Sequence, residues 1–596
     1  MHFGNIYADE IVGKAYDRQL MKRFVGYVRP YWWLAATTLL LLPLAAAARL
    51  AQPWLLKVAI DGHIVTGKLA GLPLVAAGFL ALIVSDSLLT FLQSWLLQYL
   101  GQKVMFDLRL ELFTHLQRLP VAFFDRVPTG SLVTRVTSDV EVLGEMFAAG
   151  IITVVGDILF LAGIVGVMLW MNLKLSLVTF SVLPVLIWVA FTFRIRMRQA
   201  FREVRARLAQ LNAFLAESIG GMAIVQLFGR QERERNEFTR LNAAYRDANL
   251  PVISWDASLY ALVEALSSVA VGLIVWYGGG EIVRGGVTFG ALVAFIQYIE
   301  KFFGPIRDLS SKYSVMQGAM AALERIFNLL DTERSEQPAG GEKAMAGGPQ
   351  PPPAPVDTIE FRDVWFAYTP GEDVLRGLNL TIRRGEKVAL VGETGGGKTT
   401  VTRLLSRFYE VERGAILFDG TDIRRLPLPE LRRRIGVVLQ EPYLFTGTVG
   451  FNISLGDPAA ARRLEEAARL VGADRFIGKL SRGYDEEVRE RGMNFSAGER
   501  QLISFARAVA FDPEILVLDE ATASIDSEAE RLIQEGLRAL MAGRTSLVVA
   551  HRLSTIQDAD RIIVIHRGEK AEEGSHRELL AAGGLYSKLY QLQFKD

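Results

Sequence analysis

Six long apolar stretches in the first half of the chain constrain its fold more than any other feature. Each has about the length, roughly 20 residues, that an α-helix needs to cross a bilayer. Apolar residues make up 50% of the 596 residues, a high share for a soluble protein of this length. The sequence therefore predicts an all-α polytopic membrane domain whose spans lie near residues 33–56, 72–98, 146–170, 174–193, 256–277 and 288–306.

The distribution of basic residues predicts how these spans are oriented. The long polar connections after the second and fourth spans are rich in basic residues, from Lys103 to Arg135 and from Arg194 to Arg246. The short connections hold little beyond Lys57, Lys68, Lys174 and Arg284. Because basic loops stay on the cytoplasmic side, both long connections and both termini are expected there. An apolar helical period continues past both spans, so these helices should extend beyond the membrane.

The N-terminal segment, residues 1–30, does not resemble a secretory signal because acidic residues run through its first half. Leu20, Phe24 and Val28 can share one helix face, with Lys22 and Arg23 on another. We expect an interfacial helix at the membrane surface, and an ordinary solvated helix is the alternative.

The composition changes after the membrane domain, predicted at 31–331. Residues 332–357 are rich in Pro, Gly and Ala and read as a flexible linker. From 358 to 596, short β-like runs such as KVALVG, EILVLD and RIIVIH alternate with helical segments. That alternation predicts an α/β nucleotide-binding domain with a mostly parallel sheet.

Charge and composition exclude several functions. The net charge of +1 argues against a general nucleic-acid binder. The absence of cysteine excludes disulfides, thiolate metal sites and cysteine nucleophiles, and the six histidines lack metal-ligand spacing.

The segment VALVGETGGGKTT carries a phosphate-binding loop, Gly392-x-x-x-x-Gly397-Lys398-Thr399, directly after a predicted strand. Its glycines let backbone N–H groups surround phosphates, the lysine reaches the terminal phosphates, and the threonine offers a hydroxyl to Mg²⁺. ATP and Mg²⁺ are therefore the expected cofactors. The candidate nucleotide-binding residues of this loop are Gly392, Glu393, Thr394, Gly395, Gly396, Gly397, Lys398, Thr399 and Thr400.

Two adjacent carboxylates end the apolar run ILVLDE. Asp519 is placed to order the Mg²⁺ shell through water, and Glu520 to take a proton from attacking water. Taken alone, the pair also fits solvated turn residues, but the phosphate loop upstream favours catalysis.

These motifs resemble the nucleotide-binding domain of an ATP-binding-cassette protein, and six spans ahead of one cassette resemble the exporter half-transporters of that family. The resemblance implies that Tyr368 stacks on adenine, that Gln440 links metal and water to the membrane domain, and that His551 contacts the γ-phosphate. It also places Asp526 in the loop facing the partner cassette and residues 489–492 (RERG) in a loop touching the membrane domain. Short cytoplasmic coupling helices are implied near 123–129 and 217–223.

The family signature normally reads Leu-Ser-Gly-Gly-Gln, and here it reads Phe495-Ser496-Ala497-Gly498-Glu499. Ala497 adds a β-carbon where glycine allows unusual dihedrals and close approach, and Glu499 adds a carboxylate near a polyanion. The alternative is a tolerated variant with full activity.

In this family each ATP lies between one chain's phosphate loop and the other chain's signature. An altered signature beside a retained Glu520 resembles the catalytic-carboxylate subunit of heterodimeric exporters. The resemblance thus implies a partner half-transporter with an intact signature and a changed residue matching Glu520. A homodimeric exporter, and an ATP-gated channel or regulator on the same fold, are the alternatives.

The expected activity is ATP-driven export of a hydrophobic or amphipathic substrate by alternating access, in contact with membrane lipid and without nucleic acid. The expected location is the bacterial inner (plasma) membrane, with the cassette in the cytoplasm. Three acids fall within predicted spans and are candidates for the substrate cavity, or for helix–helix hydrogen bonds: Asp86, Asp157 and Glu264. If Asp157 or Glu264 lines the cavity, cationic amphiphiles should be favoured substrates.

Overall fold

The computed structural model describes residues 17–67, 69–332, 355–519, 527–550 and 552–594. The chain divides into two compact units. The first contains Met1–Gln117 and Pro128–Glu333, and the second contains Arg118–Val127 and Arg334–Asp596. The predicted linker lies mostly outside the described residues.

The described part of the first unit is helical and contains six candidate membrane spans, as predicted. They are Arg18–Ile64, Leu72–Gln117, Thr129–Met171, Leu173–Gly220, Gln231–Val283 and Phe289–Ile306, called below the first to sixth spans. The prediction that helices extend beyond the bilayer is also confirmed, because Leu72–Gln117 is one helix of 46 residues, about 69 Å long. Helices of this unit are Arg18–Val28, Trp32–Ala59, Leu72–Gln117, Thr129–Thr134, Val140–Ala149, Ile151–Met171, Leu173–Phe180, Leu183–Gly220, Met222–Leu227, Gln231–Val283 and Phe289–Leu330.

Polar side chains fix where several of these helices begin. Asp17 accepts the N–H of Gln19 at 2.7 Å and so caps the N-terminal helix Arg18–Val28. Thr288 accepts the N–H of Ala291 and caps the sixth span. Each cap satisfies a backbone donor that the helix itself leaves unpaired.

One core cluster of the first unit lies between the third to sixth spans. Its largest fully buried side chains include Tyr298, Phe295 and Phe303, which pack with Met168 and Ile274. Burying such side chains drives helix association in water, whereas in a bilayer tight packing between helices takes over that role.

The second unit is the predicted α/β domain with a mostly parallel sheet. Its strands are β1 Thr358–Ala367, β2 Asp373–Arg383, β3 Lys387–Val391, β4 Arg413–Phe418, β5 Thr421–Asp422, β6 Ile435–Val438, β7 Gly447–Thr448, β8 Glu487–Val488, β9 Ile515–Asp519, β10 Thr545–Val549, β11 Arg561–His566 and β12 Glu569–Gly574. Its helices are Val121–Arg126, Lys398–Leu405, Leu428–Arg434, Val449–Ser454, Pro458–Arg462, Leu464–Leu470, Asp474–Ile477, Ala497–Ala510, Ser527–Met541, Leu553–Gln557, His576–Ala582 and Leu585–Phe594.

The main sheet has the strand order β12-β11-β3-β10-β9-β6, and only β12 runs antiparallel to its neighbour. A smaller antiparallel sheet has the order β2-β1-β4-β5. Parallel strands end at the same edge of a sheet. The residues that follow β3, β6, β9 and β10 therefore meet at one edge, where ligands bind in open α/β sheets.

Candidate functional site

The phosphate loop connects β3 to the helix Lys398–Leu405, as predicted. Gly392 has φ 154°, and a β-carbon there would lie 2.1 Å from the Ile565 carbonyl oxygen. Gly397 has φ 102° and caps the helix, where a β-carbon would lie 2.8 Å from Leu375 Cδ2. Only glycine fits these two positions, so the backbone curls tightly enough to present N–H groups to phosphate.

Lys398 lies at the centre of this loop and is buried. Its ammonium group donates to the carbonyl oxygens of Gly392 and Glu393, both at 2.8 Å. Burial lowers the pKa of Lys398, while the nearby carboxylate of Asp519 acts in the opposite direction. A partly desolvated lysine attracts phosphate more strongly than a solvated one, because water screens its charge less.

Thr399 and Asp519 come together although 120 residues separate them, because a single strand, β10, lies between β3 and β9 in the sheet. The Thr399 hydroxyl lies 3.4 Å from Asp519 Oδ1. Hydroxyl and carboxylate oxygens are the hard ligands that Mg²⁺ prefers, so this donor set fits the expected ion.

The remaining loop residues surround this centre. Glu393, Thr394 and Gly395 are exposed, while Gly396 and Thr400 are buried. Three consecutive residues of the loop, 393–395, are therefore accessible to solvent.

Tyr368 lies beside the phosphate-loop helix. Its hydroxyl is 3.2 Å from the Thr400 hydroxyl, and its half-buried ring makes edge contacts with Phe366 and Tyr409. The Arg403 guanidinium lies 5.9 Å from the ring centroid. This position next to the phosphate loop is compatible with the predicted contact to a base.

Along the chain, the other predicted catalytic residues follow strands that end at this same edge of the sheet. Gln440 is exposed two residues after β6. Glu520, Asp526 and His551 lie outside the described residues. The strands that lead toward Glu520 and His551, β9 and β10, pair in register from Thr545 with Ile515 to Val549 with Asp519.

The signature residues open the helix Ala497–Ala510, called below the signature helix. Phe495 is buried against Phe476, and Ser496 is the N-cap. Glu499 and Ser496 form a reciprocal capping box: Glu499 Oε2 accepts the Ser496 N–H at 2.8 Å and Ser496 Oγ accepts the Glu499 N–H at 3.2 Å. Gly498 is buried in the first turn.

This geometry changes the interpretation of both altered signature positions. Ala497 is the first helical residue and has no positive φ, so the expectation of unusual dihedrals there is wrong. Glu499 is engaged by its own helix rather than left facing outward. Because Ser496 Oγ uses only acceptor capacity in the box, its hydroxyl proton stays available to a phosphate oxygen.

An arginine that the sequence analysis missed ties the signature helix to the segment after Gln440. Arg507 donates to the carbonyl oxygens of Asn452 at 2.7 Å and of Tyr443 at 3.1 Å, and its pKa is lowered by burial. Asn452 is fully buried and exchanges two 2.8 Å hydrogen bonds with the backbone of Phe445. The signal in the sequence was an arginine on the otherwise apolar face of FARAVA.

Residues 489–492 include a short turn, Glu490–Gly492, in which Arg491 has φ 53°. The Asn494 side chain holds this turn, since its oxygen accepts the Arg489 N–H at 3.0 Å and its amide donates to the Glu487 carbonyl at 2.8 Å.

The first predicted coupling segment, 123–129, overlaps the helix Val121–Arg126, which belongs to the same unit as the cassette. Tyr409 donates its hydroxyl proton to Asp125 at 2.6 Å, and Arg126 donates to the Tyr368 carbonyl oxygen at 2.8 Å. Arg403 Nη1 lies 3.6 Å from Asp125 Oδ2. These contacts reach the residues around Tyr368, and sequence spacing gave no indication of Tyr409 or Arg403.

The second predicted coupling segment, 217–223, covers the end of the helix Leu183–Gly220 and the start of Met222–Leu227. A cavity of about 1110 Å³ opens beside it, lined among others by Glu217 and Arg240.

Asp86 and Asp157, two acids within spans, are paired with cations. Asp86 accepts Arg49 Nε at 2.8 Å, and Asp157 contacts Lys312. Glu264 is exposed in the fifth span. Pairing removes much of the negative potential that Asp86 and Asp157 would offer to a cationic substrate.

Comparison with known proteins agrees with both units. Residues 36–306 match the ABC transporter transmembrane region, and residues 375–523 match the ABC transporter domain. The chain is 38% identical to the uncharacterized ABC transporter ATP-binding protein YknV of Bacillus subtilis, over 98% of this chain and 96% of the relative.

Two further relatives have more informative names. The probable multidrug resistance ABC transporter ATP-binding/permease protein YheH of Bacillus subtilis is 37% identical, over 88% of this chain and 77% of its own. The ATP-dependent lipid A-core flippase of Syntrophus aciditrophicus is 36% identical, over 97% of this chain and 95% of its own.

Proposed function

Because the chain belongs to the ATP-binding-cassette exporter family, we propose that it exports a hydrophobic or amphipathic substrate by alternating access as one half of a heterodimer. It is an integral membrane protein and an ATPase. The observation that carries the proposal is one sheet edge at which Lys398, Thr399 and Asp519 converge.

Each residue at this edge has a role in the proposed reaction. Lys398 and the backbone of the phosphate loop bind and orient the phosphates of ATP. Thr399, Gln440 and, through water, Asp519 would hold Mg²⁺, which would supply charge neutralisation at the transferred phosphoryl group. Glu520 accepts the proton of the attacking water, and His551 contacts the γ-phosphate.

Hydrolysis must be connected to the spans. We place that connection in the helix Val121–Arg126, which follows the second span along the chain and binds Tyr409 and the Tyr368 carbonyl. A nucleotide that shifts Tyr368 and Tyr409 would move this helix. ATP can change the side to which the substrate cavity opens only if it binds the inward-open and outward-open states with unequal affinity.

The proposed asymmetry divides the two ATP sites between this chain and its partner. The chain's own Gly392–Thr399 and Glu520 serve the site that the partner's signature completes. The signature from Phe495 to Glu499 serves the other site, whose phosphate loop comes from the partner and whose ATP turns over slowly. The complex lies in the bacterial inner membrane, with the cassettes in the cytoplasm.

Membrane vesicles with outward-facing cassettes test this function. Uphill, ATP-dependent accumulation of an amphipathic dye, lost in Lys398→Ala, is the expected result. Ion current without accumulation would instead establish a channel.

Copurification with a different half-transporter is expected for a heterodimer, and that pair should be more active than the lone chain. A fully active homodimer would contradict the asymmetric arrangement.

A further inference from the structure

Five polar side chains form a cluster between the first, second and sixth spans. They are Arg49, Gln52, Asp86, Thr90 and Lys301. Arg49 Nε binds Asp86 at 2.8 Å, and Arg49 Nη2 binds the Thr90 hydroxyl at 2.8 Å. The Gln52 amide group donates to the second Asp86 oxygen at 3.4 Å. Polar groups are costly within spans and usually mark a substrate or ion path.

Pro53 explains how Lys301 joins this cluster. Proline lacks an N–H, so the helix Trp32–Ala59 leaves the carbonyl of Arg49 without its usual donor four residues later. The Lys301 ammonium group donates to that carbonyl at 3.4 Å and to Gln52 Oε1 at 2.9 Å. Tyr298, one turn earlier, donates to the Leu50 carbonyl at 2.6 Å and holds the sixth span against the first.

The charges of this cluster do not balance. Arg49 and Lys301 are cations, and Asp86 is the one acid among the described side chains that bind them. Both acceptors of Lys301 are neutral, and the Asp86 carboxylate is used by Arg49 and Gln52. One positive charge therefore stands in excess between three apolar helices, where its desolvation is costly.

We propose that this cluster binds the headgroup of an anionic amphiphile, with Lys301 and Arg49 as the cationic contacts. An anion would neutralise the excess charge, and an acyl chain would lie along the apolar spans. The proposal rests on the proposed export function and names its substrate class. The acid of the cluster, Asp86, is already paired with Arg49.

Binding without ATP tests the proposal independently of transport. The full protein, in nanodiscs of phosphatidylcholine, is titrated with labelled oleoyl lysophosphatidic acid and with lysophosphatidylcholine of the same chain. We expect at least about tenfold tighter binding of the anionic lipid, a ratio equal to about 1.4 kcal/mol. Equal affinities for the two lipids would overturn the proposal. Preferential binding of the anionic lipid without its ATP-dependent transport would contradict the export function and leave the binding site supported.

Substitutions separate the cluster from general surface charge. Lys301→Gln, which can still bond Gln52, should abolish the preference for the anionic lipid, and Lys301→Arg should retain it. Lys174→Gln removes an exposed cation elsewhere and should change nothing. Asp86→Asn raises the net charge and should strengthen binding. Equal effects of Lys301→Gln and Lys174→Gln, or weaker binding by Asp86→Asn, would contradict the assignment.

Inorganic phosphate distinguishes an amphiphile from a free anion. Millimolar phosphate should not displace labelled lysophosphatidic acid, because it lacks the acyl chain. Displacement would show that the cluster takes a small anion and would overturn the amphiphile class.

Discussion

Glu499 Oε2 accepts the backbone N–H of Ser496 at 2.8 Å, and Ser496 Oγ accepts the backbone N–H of Glu499 at 3.2 Å. The residue that departs from the family's glutamine thus keeps a structural role that glutamine also performs. Only the charge differs between the two side chains.

Substitutions at 499 should separate the cap from the charge. Glu499→Ala removes the cap and should cost about 1 kcal/mol, which lowers the Tm of a domain of this size by about 2–4 °C. Glu499→Gln keeps the cap and should leave the Tm unchanged. Thermal unfolding of the purified protein measures both, and equal loss in the two variants would mean that charge rather than capping stabilises the signature helix.

Restoring the family signature should act on one ATP site of the proposed heterodimer. Ala497→Gly with Glu499→Gln removes a β-carbon and a negative charge near the partner-bound γ-phosphate. We expect tighter ATP binding at the site with the partner's phosphate loop, and little change at the other. Filter binding of labelled ATP, with the partner's phosphate-loop lysine replaced as a control, distinguishes the sites. Unchanged affinity would make the present signature a tolerated variant.

Loss of the Tyr409 hydroxyl should weaken coupling without preventing nucleotide binding. Tyr409→Phe keeps the ring against Tyr368 but removes the 2.6 Å hydrogen bond to Asp125, a contribution of about 0.5–1.5 kcal/mol. We expect stimulation of ATPase activity by transported dye to fall several-fold while the KM for ATP is kept. Tyr443→Phe, an exposed tyrosine in the same unit, is the control.

The same contact should not depend on pH near neutrality. Burial and then Asp125 raise the pKa of Tyr409. A raised pKa favours the neutral phenol, which is the form that donates, so the hydrogen bond persists until pH exceeds this raised value. Coupling that disappeared between pH 7 and 9 in wild type, but not in Tyr409→Phe, would contradict this assignment.

Arg507 should matter more for stability than an arginine on the surface. Arg507→Met leaves the part-buried carbonyl of Asn452 and the more exposed carbonyl of Tyr443 without their donor, which should cost about 1–3 kcal/mol. Arg538→Met removes a more exposed pair with Asp558 and should have little effect. Denaturation of the purified protein compares the two, and similar losses would show that Arg507 is not a specific brace.

Periodicity and motif spacing predicted the parts of the molecule that depend on local sequence. Six apolar runs became six candidate spans, and EILVLD and KVALVG became β9 and β3. The approach of Thr399 to Asp519 depends on strand order, and the sequence anticipated it only through the Mg²⁺ role that both motifs share. Pairings such as Asp86 with Arg49 join helices by tertiary packing, for which the sequence contains no periodic signal.

The most direct test of the account is ATP hydrolysis by the purified complex with Glu520→Gln in this chain. Glutamine keeps size and hydrogen bonding but accepts no proton, and general-base catalysis contributes roughly 10²–10⁴-fold. We predict that turnover falls by about that factor while labelled ATP still binds, whereas Lys398→Ala loses binding as well. Hydrolysis near the wild-type rate in Glu520→Gln would contradict the proposed catalytic site.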